Sequence, residues 1–73
     1  MRALPVLSGR EVARVFVDLG WEIARRRGSH IILVLSSHPA TLSVPDHREV
    51  ARGTLCALIS RANLTVDEFL RAI

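Results

Sequence analysis

The sequence has 73 residues, of which 49% are hydrophobic, and this is enough for one small folded domain. That content argues against intrinsic disorder, and no apolar run reaches the roughly 18 residues of a membrane span. The formal net charge is +3, and all ten basic residues are arginines, whose planar side chains are suited to phosphate. A basic domain of this size points to nucleic acid or to an acidic protein as its partner.

The sequence offers little for secretion or for metal binding. Its N-terminal stretch, MRALPVLSGR, lacks the long apolar segment of a secretory signal, so we expect a cytoplasmic protein that does not associate with membranes. Cys56, the only cysteine, has no partner for an internal disulfide, and its apolar neighbours predict that it is buried inside a helix. The histidines and acidic residues lack metal-ligand spacing, and we expect neither a metal nor any other cofactor.

The first predicted element is a helix from about Gly9 to Leu19. Ser8 and Glu11 have the spacing of a capping box, in which each side chain binds the backbone amide of the other residue. Gly20 is placed to end the helix in the left-handed conformation. The inner face of the helix is a stripe of apolar residues at helical spacing, namely Val12, Val15, Phe16 and Leu19.

From Trp21 onward the hydrophobic period changes to two, which predicts three strands joined by short turns. The predicted strands run from Trp21 to Arg27, from His30 to Leu35 and from Thr41 to Val44. The turns are Gly28-Ser29 and the stretch from Ser36 to Pro39, and Pro45 ends the third strand. Strands that follow one another in this way form an antiparallel meander.

The second strand has two faces of different expected character. If Ile31, Leu33 and Leu35 face the helices, then His30, Ile32 and Val34 lie on the open face of the sheet. Ile32 and Val34 would then form an exposed apolar patch of the kind that contacts a partner. The opposite assignment of the two faces is the alternative.

The remainder of the chain predicts two helices. A polar loop after Pro45 leads into a helix whose inner face is Leu55, Leu58 and Ile59 and which ends near Asn63. Thr65 and Glu68 form a second capping box, which starts a short last helix. Together the elements predict a single α+β domain over residues 1–73, with a three-stranded antiparallel sheet covered on one face by helices.

Three stretches resemble the HicA toxin family, also called YcfA-like proteins: LPVLSGREVARVFVDLGW, RRRGSHIILV and TLSVPDHREVARGTLCALISRANLTVDEFL. The most specific pieces are Gly28-Ser29-His30 after a basic strand, Val44-Pro45 at the end of the third strand, and Gly53-Thr54-Leu55 at the second helix. Two departures are visible. The second hairpin reads His38-Pro39-Ala40-Thr41 where relatives often have histidine, proline, aspartate and glycine, and Arg48 and Arg52 stand where lysines are common.

The resemblance implies a fold like that of the double-stranded-RNA-binding domain and the activity of an mRNA-cleaving toxin. It implies a HicB-like antitoxin as the protein partner. It also implies that His30 is the catalytic residue, since Gly28 and Ser29 match the two positions that precede it in the family.

The chemistry of RNA cleavage suits these residue types. RNA carries its own nucleophile, the 2′-hydroxyl, so a protein has to take a proton, hold the phosphate and stabilise the developing charge. Histidine titrates near neutral pH, and arginine can hold phosphate through two hydrogen bonds. We therefore expect His30 to act as general base or acid without a metal. The residues expected to contact RNA are Arg27, Gly28, Ser29, Arg48 and Arg52.

The neighbouring basic and histidine residues have simpler expected roles. Because side chains alternate along a strand, Arg25, Arg26 and Arg27 cannot all face one phosphate. His38, in a turn, and His47, in the polar loop, are expected at the surface. The alternative for His47, which follows Asp46, is that it serves as a second acid or contacts RNA. The start of the second helix would add backbone amides that favour phosphate.

Two other functions remain open on the sequence alone. The domain could bind structured RNA without cutting it, or it could be an interaction module whose basic surface meets an acidic protein. The sequence does not give the RNA sequence preference, nor whether the chain forms a homodimer.

Overall fold

A computed structural model describes residues 4–73 of the chain. The elements are α1 (Gly9–Asp18), β1 (Glu22–Arg27), β2 (His30–Leu35), β3 (His38–Pro45), α2 (Arg52–Arg61) and α3 (Val66–Arg71). The strands form one antiparallel sheet in the order β1-β2-β3. The predicted α+β layout is confirmed. The expectation about secretion includes residues 1–3, which lie outside the described residues.

None of the helices within residues 4–73 has the length and hydropathy that a membrane crossing requires.

Both predicted capping boxes are present, and they define where α1 and α3 begin. At α1 the Glu11 amide donates to Ser8 Oγ over 3.1 Å, and the Ser8 amide donates to Glu11 Oε1 over 2.9 Å. Thr65 and Glu68 make the same pair of bonds at α3. These bonds satisfy amides that have no partner within the first turn of the helix. Gly20, just after α1, has φ +106°, as its position predicts.

The helices cover one face of the sheet, and the core lies between them. Ile31 pairs with Val44 and Leu33 pairs with Leu42, so these four buried side chains share the covered face. Phe16 of α1 packs against Phe69 of α3 with ring centroids 5.3 Å apart. The predicted assignment of β2 faces is therefore confirmed, because Ile31 and Leu33 belong to the same core cluster.

The expected exposure of Ile32 is wrong. Ile32 lies on the open face, yet only 6% of its surface is exposed. It is in the central strand, with Arg25 and Ser43 as cross-strand neighbours on the same face. Long polar side chains can lie over an apolar neighbour in this arrangement and shield it from water. Val34 is half-buried, so the expected apolar patch on this face is reduced to one partly exposed residue.

Two further predictions were wrong in part. Strand β3 begins at His38 and not at Thr41, and it therefore contains Pro39, which an edge strand tolerates because the missing amide can face outward. Cys56 lies in a helix, as predicted, but it is exposed. The buried residues of α2 are Leu55, Leu58 and Ile59. A turn of about 100° per residue directs Cys56 away from that face.

Candidate active site

His30 is the first residue of β2 and follows a two-residue turn. Gly28 and Ser29 form this turn between β1 and β2, and His30 is directly opposite Arg27 across the hairpin. Gly28 has φ +61°, and a Cβ built on it would have no atom within 4 Å. Glycine is therefore favoured here by its backbone conformation and not by lack of space. His30 is exposed at this corner of the sheet.

The basic residues of β1 divide between the two faces of the sheet. Arg27 pairs with His30 and Arg25 pairs with Ile32, so both arginines share the open face with His30. Arg26 pairs with Ile31 and belongs to the face that carries the helices. The expectation that the three arginines cannot face one phosphate is confirmed. The same alternation could have assigned Arg25 to the face of His30 from the sequence, but Arg25 was not among the predicted RNA contacts.

Asp46 is a residue of this region that the sequence did not single out. Its backbone amide donates to the Ser29 carbonyl over 2.7 Å, which ties the hairpin turn to the end of β3. Its carboxylate accepts a hydrogen bond from Arg26 and lies 3.6 Å from Arg10 Nε. The hydrogen bond from Arg26 lowers the pKa of Asp46, partial burial opposes this, and the charges of Arg26 and Arg10 lower the pKa further.

The segment after Asp46 is fixed against the start of α1. The Gly9 amide donates to the His47 carbonyl over 2.8 Å, and the Val50 amide donates to the Leu7 carbonyl over 2.8 Å. A Cβ on Gly9 would lie 2.1 Å from the Pro45 carbonyl oxygen, so only glycine permits this close approach. Val50 is buried and anchors the segment, although the surrounding sequence is polar.

The two remaining predicted RNA contacts lie on and after this segment. Arg48 is exposed, two positions beyond Asp46. Arg52 is the first residue of α2 and lines a small cavity together with Pro5 and Val6. Ala51, which precedes α2, makes no side-chain capping bond, so amides of the first turn are not satisfied in that way. The structure thus brings Arg27 and His30 together at the hairpin turn, whereas Arg48 and Arg52 lie on the chain that follows β3.

His38 is a structural residue, and its expected exposure is wrong. Its ring lies 5.4 Å from the ring of Trp21, measured between centroids, and is half-buried. Nδ1 accepts a hydrogen bond from the Ala40 amide over 3.0 Å, and Nε2 lies 3.1 Å from the carboxamide of Asn63. These contacts hold the start of β3. His47, in contrast, is exposed, as predicted.

The ion pairs leave the predicted RNA contacts available for a ligand. Within residues 4–73, Asp46 pairs with Arg10 and Arg26, and Asp18 pairs with Arg14. In the same part of the chain, the arginines that make no ion pair include two on the open face and two between the end of β3 and the start of α2, namely Arg25, Arg27, Arg48 and Arg52. An exposed imidazole can take the proton of a ribose 2′-hydroxyl, and unpaired guanidinium groups beside it can hold the negative charge of the adjacent phosphate.

The comparison with protein-family models matches residues 9–64 to a model described as HicA toxin of bacterial toxin-antitoxin. The matched range contains α1, all three strands, α2 and every residue of the candidate site. No curated protein and no solved structure matches the chain.

Proposed function

Because the chain belongs to the HicA toxin family of toxin–antitoxin systems, we propose that it is a cytoplasmic endoribonuclease that cleaves mRNA without a metal ion. His30 is its general base or acid. The observation that carries this proposal is the pairing of His30 with Arg27 at an exposed corner of the sheet. A proton acceptor and a phosphate-binding cation therefore lie on the same face, at the end of a hairpin that Asp46 holds in place.

Cleavage proceeds by attack of the ribose 2′-oxygen on the adjacent phosphorus. The imidazole of His30 takes the proton of the 2′-hydroxyl, the new O–P bond closes a cyclic phosphate, and the bond to the 5′-oxygen breaks. The leaving 5′-oxygen takes up a proton, which solvent can supply because the corner is exposed. The protonated imidazole then returns its proton to solvent and is ready for the next turnover.

Phosphate binding is assigned to the residues that surround the turn. Arg27 holds the scissile phosphate, because a guanidinium group forms charge-assisted hydrogen bonds to its oxygens. Gly28 lets the backbone approach the substrate closely, and the Ser29 hydroxyl donates a hydrogen bond. Arg48 and Arg52 bind the flanking backbone of the RNA from the segments that follow β3.

The protein partner is an acidic, HicB-like antitoxin that covers the open face of the sheet. Its carboxylates meet the unpaired arginines Arg25 and Arg27, and it buries His30, so that RNA cannot reach the site. The apolar part of this contact is limited to Val34, because Ile32 is already buried within the free chain.

The test is cleavage of a long single-stranded mRNA by the purified chain with a chelator present. We expect the His30→Ala variant to lose a factor of about 10²–10⁴ in rate, the usual contribution of general acid–base catalysis. His47→Ala is the matched control, because it removes an exposed histidine from the nearby loop. Its rate is expected to stay near that of the wild type.

Wild-type cleavage by the His30→Ala variant would end the catalytic assignment, and loss of all cleavage in chelator would contradict the metal-independent mechanism. RNA binding that weakens with salt, without cleavage, would support the alternative of a non-catalytic RNA-binding module. Absence of both cleavage and RNA binding would leave a protein-interaction module.

A further inference from the structure

The open face of the sheet carries a second arginine in line with the proposed site. Arg25 and Arg27 lie two residues apart on β1 and pair with Ile32 and His30 respectively. Their Cα atoms are therefore separated by about 6.8 Å, twice the rise per residue of an antiparallel strand. The irregularity of β1 falls between Ile23 and Arg25, so the pairing from Arg25 to Arg27 is regular.

The guanidinium groups of these two arginines are not engaged by other residues of the described chain. Both are exposed, and within residues 4–73 neither makes an ion pair or a side-chain hydrogen bond. Arg26, between them, is bound to Asp46 on the other face. Ile32 is buried beneath the open face and is the cross-strand neighbour of Arg25, so the aliphatic part of Arg25 has an apolar surface to lie on.

The separation of the two arginines suits one strand of nucleic acid. Successive phosphates along an extended single strand have a comparable spacing, and single-strand sites commonly follow the backbone with a row of cations. The row of cations formed by Arg27 and Arg25 stops after Arg25. The next charged residue of β1 on this face is Glu22, which pairs with Val34. A carboxylate at that position repels a further phosphate.

From these observations, and resting on the proposed function above, we propose that Arg25 binds the phosphate next to the scissile one. The substrate is then an extended single strand that runs along β1 from His30 toward Arg25, and this part of the site ends at Glu22. The site therefore recognises the backbone of one unpaired strand through two consecutive phosphates.

The experiment uses short single-stranded oligonucleotides that contain one ribonucleotide among deoxyribonucleotides, so that only one bond can be cut. In separate oligonucleotides, each flanking phosphate is replaced in turn by a neutral methylphosphonate. KM and kcat are measured for the wild type and for Arg25→Gln. The matched control is Arg14→Gln, which removes an exposed charge from α1.

On the fully charged oligonucleotide, we expect Arg25→Gln to raise KM roughly tenfold, equivalent to about 1.4 kcal/mol, with kcat nearly unchanged. The slope of log affinity against log salt should fall in magnitude by about 0.7, the value for one phosphate contact on a single strand. Arg25→Lys retains the charge and should keep most of that slope, and Arg14→Gln should leave both quantities near wild type.

The methylphosphonate series identifies the contact. When the phosphate adjacent to the cleaved bond is neutral, the wild type should already show the raised KM, and Arg25→Gln should add almost nothing. The side of the cleaved bond on which this occurs gives the direction of the strand along β1. An Arg25→Gln effect that equals the Arg14→Gln effect, or that persists with every neutralised phosphate, would overturn the proposal.

The two proposals fail in distinguishable ways. A wild type that does not cut, or a His30→Ala variant that cuts equally well, would contradict the proposed function. The contact of Arg25 can then still be tested by affinity. The same oligonucleotides are bound to the His30→Ala protein with and without Arg25→Gln, and their dissociation constants are compared. If the wild type cleaves RNA but Arg25→Gln leaves KM unchanged, only the proposed second phosphate contact is contradicted.

Discussion

The two hairpins of the sheet each place a histidine at the first position of the strand that follows the turn. His30 begins β2 and is exposed, with Arg27 opposite it. His38 begins β3, where its ring packs against Trp21 and both ring nitrogens have neighbours within hydrogen-bonding distance. A histidine whose two ring nitrogens are engaged by a backbone amide and by the side chain of Asn63 has neither nitrogen free to contact a substrate. The same residue at the same place in a hairpin is thus suited to two different roles.

The largest effect on stability is expected from the second hairpin. Replacing His38 by alanine removes the contact with Trp21 and the acceptor for the Ala40 amide, and should lower the free energy of unfolding by about 1–3 kcal/mol. His30→Ala, at the exposed corner, should change it by less than about 0.5 kcal/mol. Urea unfolding of both variants measures the difference. Equal losses would mean that His30 is also structural, and the contrast between the hairpins would fail.

The sequence predicted the helices well because their signals are local. Each capping box is complete within four residues, and both were confirmed. The start of β3 was missed because Pro39 argues against a strand when read locally. It is tolerated because β3 is an edge strand and because Pro39 lies where the pairing with β2 is irregular, and both are facts of the assembled sheet. The burial of Ile32 was missed for a similar reason, since its neighbours come from other strands.

The candidate site could be predicted only in part. His30 and its turn were identified from a contiguous motif, and alternation along β1 separated Arg26 from its neighbours. Asp46 was missed because its partners lie far away in the sequence. Arg26 is 20 positions earlier, and the Ser29 carbonyl belongs to another hairpin. No spacing rule within one element signals a contact of that kind.

The backbone of the two turns gives a prediction of intermediate size. Gly28 has positive φ, whereas neither Ser36 nor Ser37 of the second turn does. Gly28→Ala should therefore cost about 1 kcal/mol or somewhat more, although its Cβ would touch nothing. Gly53→Ala is the matched control, because Gly53 lies in α2 with equally open space. That change should stabilise the chain by up to about 1 kcal/mol.

Thermal or urea unfolding distinguishes the two glycine variants by the sign of the change. If both variants are stabilised, the positive φ of Gly28 is not required in the folded chain. The conformation of the first hairpin would then be determined by contacts with the surrounding residues and not by the backbone of Gly28.

The smallest effect concerns the attachment of the first hairpin to β3, and it depends on pH. The pKa of Asp46 is lowered in the folded chain, chiefly by its hydrogen bond with Arg26, so the folded state favours the ionised carboxylate. This contribution is fully present above the unfolded pKa of about 3.9 and is lost as the pH falls through the lower, folded value. Asp46→Asn should therefore be less stable than the wild type at neutral pH, and this difference should vanish in acid.

Unfolding by urea at a series of pH values measures that difference. Asp18→Asn is the matched control, because Asp18 pairs with Arg14 on the exposed side of α1. The loss in free energy of unfolding at neutral pH should be smaller for Asp18→Asn than for Asp46→Asn. The pKa of Glu68 is also lowered, mainly by its hydrogen bonds with Thr65. Protonation of Glu68 in acid therefore lowers the stability of the wild type and of both variants alike, and it does not affect the differences between them. If the deficit of Asp46→Asn is the same at acid and neutral pH, the ion pair with Arg26 is not what fastens the turn. The hydrogen bond from the Asp46 amide to Ser29 would then hold the His30 hairpin without help from the carboxylate.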